Sequence, residues 1–268
     1  NSVLLTFFPH PRMVVQKQSQ LKLLHTLQEK ITHLEQLEID HLIVHPFTQK
    51  FSRLTPLEYV RDILVNQLKA KKIIIGYDHR FGRNRTANIE DLREFGQVYD
   101  FEVEEISAQE RDQVAISSTK IRRALNEGDV ATANAFLGAP YCLSGKVIHG
   151  QSIGRTIGYP TANLSITEDY KLLPKNGVYY SQSVIRGKTI FGVTNIGTNP
   201  TVGGVSQRVE THFLDWDGDL YGENLNLSLL RRIRDQKVFD ELTDLKSAIF
   251  KDIEQVRIMI SNDEDKLV

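Results

Sequence analysis

NGVYYSQSVIRGKTIFGVTNIG, residues 176–197, reads as two β-strands joined by a tight turn. Asn176-Gly177 and Arg186-Gly187 are turn signals, and the runs beside them are rich in β-branched and aromatic residues. No helical period separates the two runs. A hairpin here makes the surrounding sheet antiparallel.

The same grammar extends outward. SGKVIHG (144–150) and QRVETHFLDWDGDLYGENLNLSLL (207–230) are further strand-like runs, the second broken at Asp217-Gly218. Many strands without intervening helices predict an antiparallel barrel or sandwich. From Glu241 to Ile260 the pattern becomes helical, with Leu242, Leu245, Ile249, Ile253, Val256 and Ile260 forming one apolar face to lie on that barrel.

Before Tyr141 strands and helices alternate. VLLTFF (3–8), HLIVHPF (41–47), KIIIGYD (72–78) and FEVEEI (101–106) read as strands, the third as a buried one. Helical patterns cover Leu21 to Leu37 and the region near 88–97. Thr55-Pro56-Leu57-Glu58 is a helix start, with Thr as N-cap and Pro at the first helical position. One of Ser117, Ser118 and Thr119 caps a helix, and Asp129 caps another that stops at Gly138. Alternation of this kind predicts an α/β domain around a parallel sheet covered on both faces. Gly138-Ala139-Pro140 reads as the boundary, giving domains 1–139 and 140–268.

Bulk properties narrow the function. A net charge of -1 gives no basis for binding nucleic acid or an anionic membrane, so any phosphate must be held locally. The single cysteine, Cys142, fits a reducing, cytoplasmic setting. No apolar run approaches the roughly 20 residues of a membrane span. The oligomeric state is not legible.

GKVIHGQSIGRTIGYPTANL (145–164) carries the chemistry of the second half. Its spacing excludes G-x-x-x-x-G-K-[ST] and G-x-G-x-x-G. A flexible loop remains, in which backbone N–H groups between Gly150, Gly154 and Gly158, together with Arg155, are able to meet phosphate oxygens. Thr161 and Asn163 face the same way on an extended chain and offer neutral oxygens for a nucleotide's magnesium. Glu210 faces away from Val209, Thr211 and Phe213, and a carboxylate inside a small barrel is a general base towards an alcohol. Taken alone, these residues leave open a mobile hairpin, a capped turn, and a strand carboxylate paired with Arg208 or Lys188. His149 and His212 read as structural.

In the first half, FPHPR (8–12) and GYDHRFG (76–82) follow strands, where ligands of parallel sheets sit. ISSTKIRRAL (116–125) opens a helix whose first turn offers an anion site, with Arg122 one turn in.

The segment 145–164, with NGVY (176–179), TNIGTNPTV (194–202), ETHFLD (210–215) and RIRDQKVF (232–239), closely resembles the riboflavin kinase module across about 120 residues. TFFPHPR (6–12), GYDHRFG (76–82) and ISSTKIR (116–122) resemble the FMN adenylyltransferase module of prokaryotic FAD synthetases. The resemblance implies two ATP-dependent reactions, riboflavin to FMN and FMN to FAD with release of pyrophosphate. It implies Mg2+ carried with ATP, held by Thr161 and Asn163, with Glu210 deprotonating the ribityl 5′-hydroxyl and the Gly150–Gly158 loop closing over the phosphates. It places Arg232 and Arg234 at the flavin-side loop and Asp78 in the nucleotide and flavin cleft. It assigns Ser117, Ser118, Thr119 and Arg122 to ATP phosphates, and Phe8, His10 and Pro11 to the flavin. The family often has an acidic residue at the Phe8 position and Phe at the His79 position. Its opening G-x-F-D-G-x-H-x-G-H segment is not in the chain and is expected ahead of Asn1 in the intact protein. A kinase with a degenerate or regulatory first half, and a flavin-binding module without catalysis, are the other readings.

Overall fold

The computed structural model describes residues 1–16, 20–106, 110–111, 114–150, 153–201 and 204–264. Contacts divide the chain into two compact units, Asn1–Lys22 with Leu27–Ile116, and Leu23–Thr26 with Ser117–Val268. Among the described residues, no helix is long and apolar enough to cross a membrane.

The first unit opens with β1 (Val3–Phe8), α1 (Pro11–Val15), α2 (Leu27–Glu35) and β2 (His41–Pro46). β1 and β2 pair in parallel, Val3 opposite His41 and Phe8 opposite Pro46. Next comes α3 (Pro56–Glu58), which runs on as a wider π-helical segment to Gln67. Thr55 caps it as its sequence predicts: the Thr55 Oγ1 accepts from the Glu58 N–H, and the Glu58 carboxylate accepts from the Thr55 N–H. β3 (Lys72–Gly76), α4 (Ile89–Tyr99) and β4 (Glu102–Ile106) follow, with β3 and β4 again parallel. A short antiparallel pair, β5 (Glu110–Arg111) and β6 (Val114–Ala115), ends the unit. Val60, Leu64, Phe81, Ala87, Leu92 and Phe101 form its core.

Two details differ from the sequence expectation. The helix predicted from Leu21 begins only at Leu27. Leu23 instead makes a parallel bridge to Lys171: its N–H donates to the Tyr170 carbonyl and its carbonyl accepts from Leu172. Backbone groups committed to a sheet are not free for a helical turn. β3 is not fully buried either, since Ile74 is 54% exposed. Among the described strands β3 pairs only with β4, which leaves it at a sheet edge.

The second unit carries α5 (Ser118–Glu127), α6 (Val130–Leu137), β7 (Tyr141–Ile148), α7 (Ile153–Thr156), β8 (Ala162–Ser165), β9 (Gly177–Ile185), β10 (Lys188–Thr201), β11 (Gly204–Phe213), β12 (Asn224–Arg234) and α8 (Leu242–Glu264). The strands close into an antiparallel barrel in the order β10-β11-β8-β7-β12-β9. Arg186 and Gly187 turn the β9–β10 hairpin with φ of 49° and 79°, the two positive values a tight primed turn needs. Alternation then decides the faces. Tyr141, Leu143, Leu227, Leu229, Val209 and Ile196 are buried inside, each apolar side chain of this size contributing about 1.5–3 kcal/mol. Three of the hydroxyls in that interior satisfy one another, Ser181 to Thr194 at 2.7 Å and Thr194 to Thr211 at 2.8 Å, while the buried Ser183 Oγ has no partner among the described residues. The other face of β9 and β10 presents Val178, Tyr180 and Val193, and Ile253 and Val256 of α8 pack against them. α8 therefore marks the outside of the barrel.

Candidate active site

Strand register builds the centre of the site. Asn163 on β8 stands opposite Glu210 on β11, and Glu210 stands opposite Asn195 on β10. The three polar side chains thus form one row across three neighbouring strands. Asn195 shares its face with Val193, which packs under α8, so the row lies on the outer wall of the barrel. Glu210 was expected inside. The hydrophobic alternation of Val209, Thr211 and Phe213 is as expected, but those residues are the ones that fill the interior.

Glu210 is half-buried, and desolvation pushes its carboxyl above the usual range, against the pull of Arg208. Neither its carboxylate nor the Asn163 and Asn195 carboxamides hydrogen-bond to any described residue. The expected alternative, an ion pair with Arg208 or Lys188, does not form among the described residues.

The glycine loop lies against this row. A Cβ at Gly150 would come within 2.3 Å of the Asn163 Nδ2, so only glycine leaves that carboxamide in place. Gly154 sits in α7, and Gly158, with φ of 90°, closes the loop in a conformation side chains rarely adopt. The Pro160-Thr161 entry into β8 is held by His212, whose Nδ1 donates to the Pro160 carbonyl at 2.8 Å. His149 stacks on Tyr221, with ring centroids 3.8 Å apart.

A cavity of about 470 Å³, in the range of small-molecule sites, opens on the opposite face of β11, where Thr211 and Phe213 line it. Arg155, Thr161, Trp216, Asp217, Asp219 and Tyr221 are among its walls. Thr161 lines the cavity two residues before Asn163 of the row. Trp216, Asp219 and Tyr221 were missed in the sequence, where Asp217-Gly218 registers only as a turn. Two arginines hold this wall. Arg257 of α8 forks onto Asp215 at 2.8 and 3.1 Å, and Arg186 donates to the Asp219 carbonyl and pairs with Glu223.

A riboflavin kinase family model matches residues 137–260, and an FAD synthetase family model matches residues 1–120. A bifunctional riboflavin kinase/FMN adenylyltransferase of Buchnera aphidicola (subsp. Schizaphis graminum) is 38% identical over 260 residues, which are 96% of this chain and 83% of that protein. The chain belongs to the bifunctional riboflavin kinase/FMN adenylyltransferase family. The Escherichia coli K12 member is 37% identical over 84% of this chain and 72% of its own length. A crystal structure described as a macrolide-efflux protein from Streptococcus pneumoniae superposes with a TM-score of 0.86 at 32% identity, covering 95% of this chain and 83% of that one.

The remaining candidate residues of this family member fall in both units. Phe8 ends β1, His10 and Pro11 follow it, and Asp78 follows β3, all in the first unit. His10 caps α1, its Nδ1 accepting from the Arg12 N–H. Ring contacts from Phe7 through Phe51, Tyr59 and Phe81 to His79 join the two loops into one aromatic rim. Burial pushes the Tyr59 hydroxyl up to about 12. Ser117, Ser118, Thr119 and Arg122 lie in the second unit, at the start of α5. Ser117 is the cap, accepting from the Lys120 N–H, and Arg122 donates to the Ser118 hydroxyl at 3.1 Å. Arg232 donates to the Asn176 carbonyl and pairs with Asp235, while Arg234 forks onto buried Asp252 at 2.8 and 2.7 Å. Arg234 thereby ties β12 to α8.

Proposed function

We propose that the barrel unit transfers the γ-phosphoryl group of ATP to the 5′-hydroxyl of riboflavin, and that the α/β half transfers the adenylyl group of a second ATP to the FMN produced. The observation that carries the first step is the row Asn163–Glu210–Asn195 against the glycine loop, with Thr161, two residues before Asn163, on the wall of a cavity of small-molecule size. A general base must lie within reach of the proton it takes and have a pKa drawn towards the working pH. Glu210 meets the second condition by burial.

In the reaction Glu210 takes the hydroxyl proton. The hydroxyl oxygen forms a bond to the γ-phosphorus, the bond to the β-phosphate oxygen breaks, and ADP leaves. Arg155, on the cavity wall, balances charge on the phosphates. The oxygens of Thr161 and Asn163 fit a magnesium ion that arrives with ATP, because a hard cation of this kind takes most of its ligands from phosphate and water. That ion would neutralise phosphate charge. Arg232 and Arg234 shape the flavin-side loop from behind through Asn176 and Asp252.

For the second step, an FMN phosphate oxygen attacks the α-phosphorus of ATP and pyrophosphate leaves. Ser117, Ser118, Thr119 and Arg122 carry over as phosphate-binding groups, Asp78 as a cleft residue, and Phe8, His10 and Pro11 as flavin neighbours. We assign residues 1–139 to this activity, residues 140–268 to the kinase, and a cytoplasmic setting to both. The test is an incubation with riboflavin, ATP and Mg2+, with FMN, FAD, ADP and pyrophosphate separated. FMN formed one-for-one with ADP supports the kinase assignment, and FAD formed with pyrophosphate supports the second. No FMN at any ATP concentration would refute the first.

A further inference from the structure

TNIGTNPTV (194–202) has so far been given no chemistry, yet register sets its Asn195 directly beside Glu210. Resting on the kinase reading above, we propose that Asn195, with Gln236, binds the hydroxyl groups of the acceptor's polyol chain and selects the alcohol presented to Glu210.

Three observations lead there. First, the row has two distinct ends. Neighbouring strands lie about 4.8 Å apart, so Asn163 and Asn195 stand roughly 10 Å apart with Glu210 between them. At the Asn163 end, Gly150 of the glycine loop abuts the carboxamide, and Thr161, two residues before it, lines the cavity with Arg155. Phosphoryl transfer needs donor and acceptor on opposite sides of the transferred group, roughly in line. With the nucleotide at Asn163, the carbon chain of the alcohol extends towards Asn195.

Second, Asn195 has a partner. A Cβ built on Gly197 would lie 2.6 Å from the Gln236 Nε2 and 3.2 Å from the Asn195 Nδ2. The two carboxamides therefore flank the same patch of bare backbone, which any side chain at position 197 would fill. Third, Asn195 and Gln236 are half-buried, and neither side chain hydrogen-bonds to a described residue. Polar groups withdrawn from water are normally paired. Each carboxamide offers two donor hydrogens and an acceptor oxygen, which matches successive hydroxyls that both donate and accept.

The test uses the full chain with Asn195→Ala and, separately, Gln236→Ala. Initial rates are measured with riboflavin and with its arabityl epimer, inverted at C2′, and thermal unfolding is followed in parallel. Asn195→Ala should raise the riboflavin KM about tenfold and leave the ATP KM within about twofold. The preference for riboflavin over the epimer should fall by about fivefold or more, because a site built on hydroxyl contacts discriminates through them. A merely structural role would not move that preference. An unchanged riboflavin KM with unchanged preference overturns the proposal, as does a parallel rise in both KM values. If Asn195→Ala does not fold, Gln236→Ala, in the loop after β12, decides on the same readouts. Wild-type protein that phosphorylates neither flavin overturns the kinase reading and this proposal together. Wild-type activity with indifferent variants overturns this proposal alone.

Discussion

Glu210 combines two costs in one side chain: it is withdrawn from water and it lacks a hydrogen-bond donor among the described residues. Its folded-state pKa is raised above the unfolded one, so the folded protein binds that proton more tightly. Stability is then lower above the folded pKa, where the buried charge must be carried, and the deficit disappears as pH falls below the unfolded value. Glu210→Gln should therefore melt higher than wild type at neutral pH, with the gap closing near pH 4, in calorimetric scans across that range. The same substitution should lower kcat for FMN formation by about 10²- to 10⁴-fold. The acid limb of wild-type kcat/KM should lie above the ordinary glutamate range, following the direction of the shift. Gly150 carries a separate test. Gly150→Ala would push into the Asn163 carboxamide, so the ATP KM of the kinase reaction should rise severalfold while FAD formation from FMN holds. Equal effects on both reactions would show that Gly150 does not act through Asn163.

At the scale of elements, three ion pairs tie α8 to the barrel unit, Arg231–Asp263 and two of contrasting character. Arg234–Asp252 is nearly buried, with side-chain exposures of 21% and 6%, and removing one partner strands the other charge. Asp252→Ala should cost about 3 kcal/mol in denaturant unfolding. Arg257–Asp215 is exposed at 49% and 72%, and such pairs contribute at most about 1 kcal/mol. Asp215 nevertheless begins the loop that forms the cavity wall, with φ of 55°. Arg257→Ala should leave the unfolding midpoint nearly unchanged yet raise the ATP KM. The elements also show what a sequence makes legible. The caps at Thr55, Ser117 and Asp129 are local chemistry, readable from four residues, and each forms as expected. Leu23 is not readable in this way, because its partner Lys171 lies far along the chain. Alternation along β11 separates Glu210 from Val209 and Thr211, but only α8 decides which face is outside. Asn195 reaches Glu210 through pairing of β10 with β11, a relation that no spacing within either motif announces.

For the whole molecule, the two units are not consecutive in sequence. Leu23–Thr26 leaves the first unit to join the second, where Lys171 Nζ donates to the Leu24 carbonyl at 2.7 Å and the Cys142 carbonyl at 2.8 Å. Four residues of the N-terminal half are thus part of the barrel unit. Leu23→Pro removes the N–H that bonds Tyr170 and should lower kinase-unit stability by about 1–3 kcal/mol, read from the loss of FMN-forming activity on heating. The central claim is that Glu210 on the outer wall of the barrel is the base for phosphorylation of riboflavin. Its most direct test is the single-turnover rate of FMN formation by Glu210→Gln, measured beside wild type at saturating riboflavin and ATP with folding confirmed. A fall of about 100-fold or more is expected; a rate equal to wild type would contradict the claim.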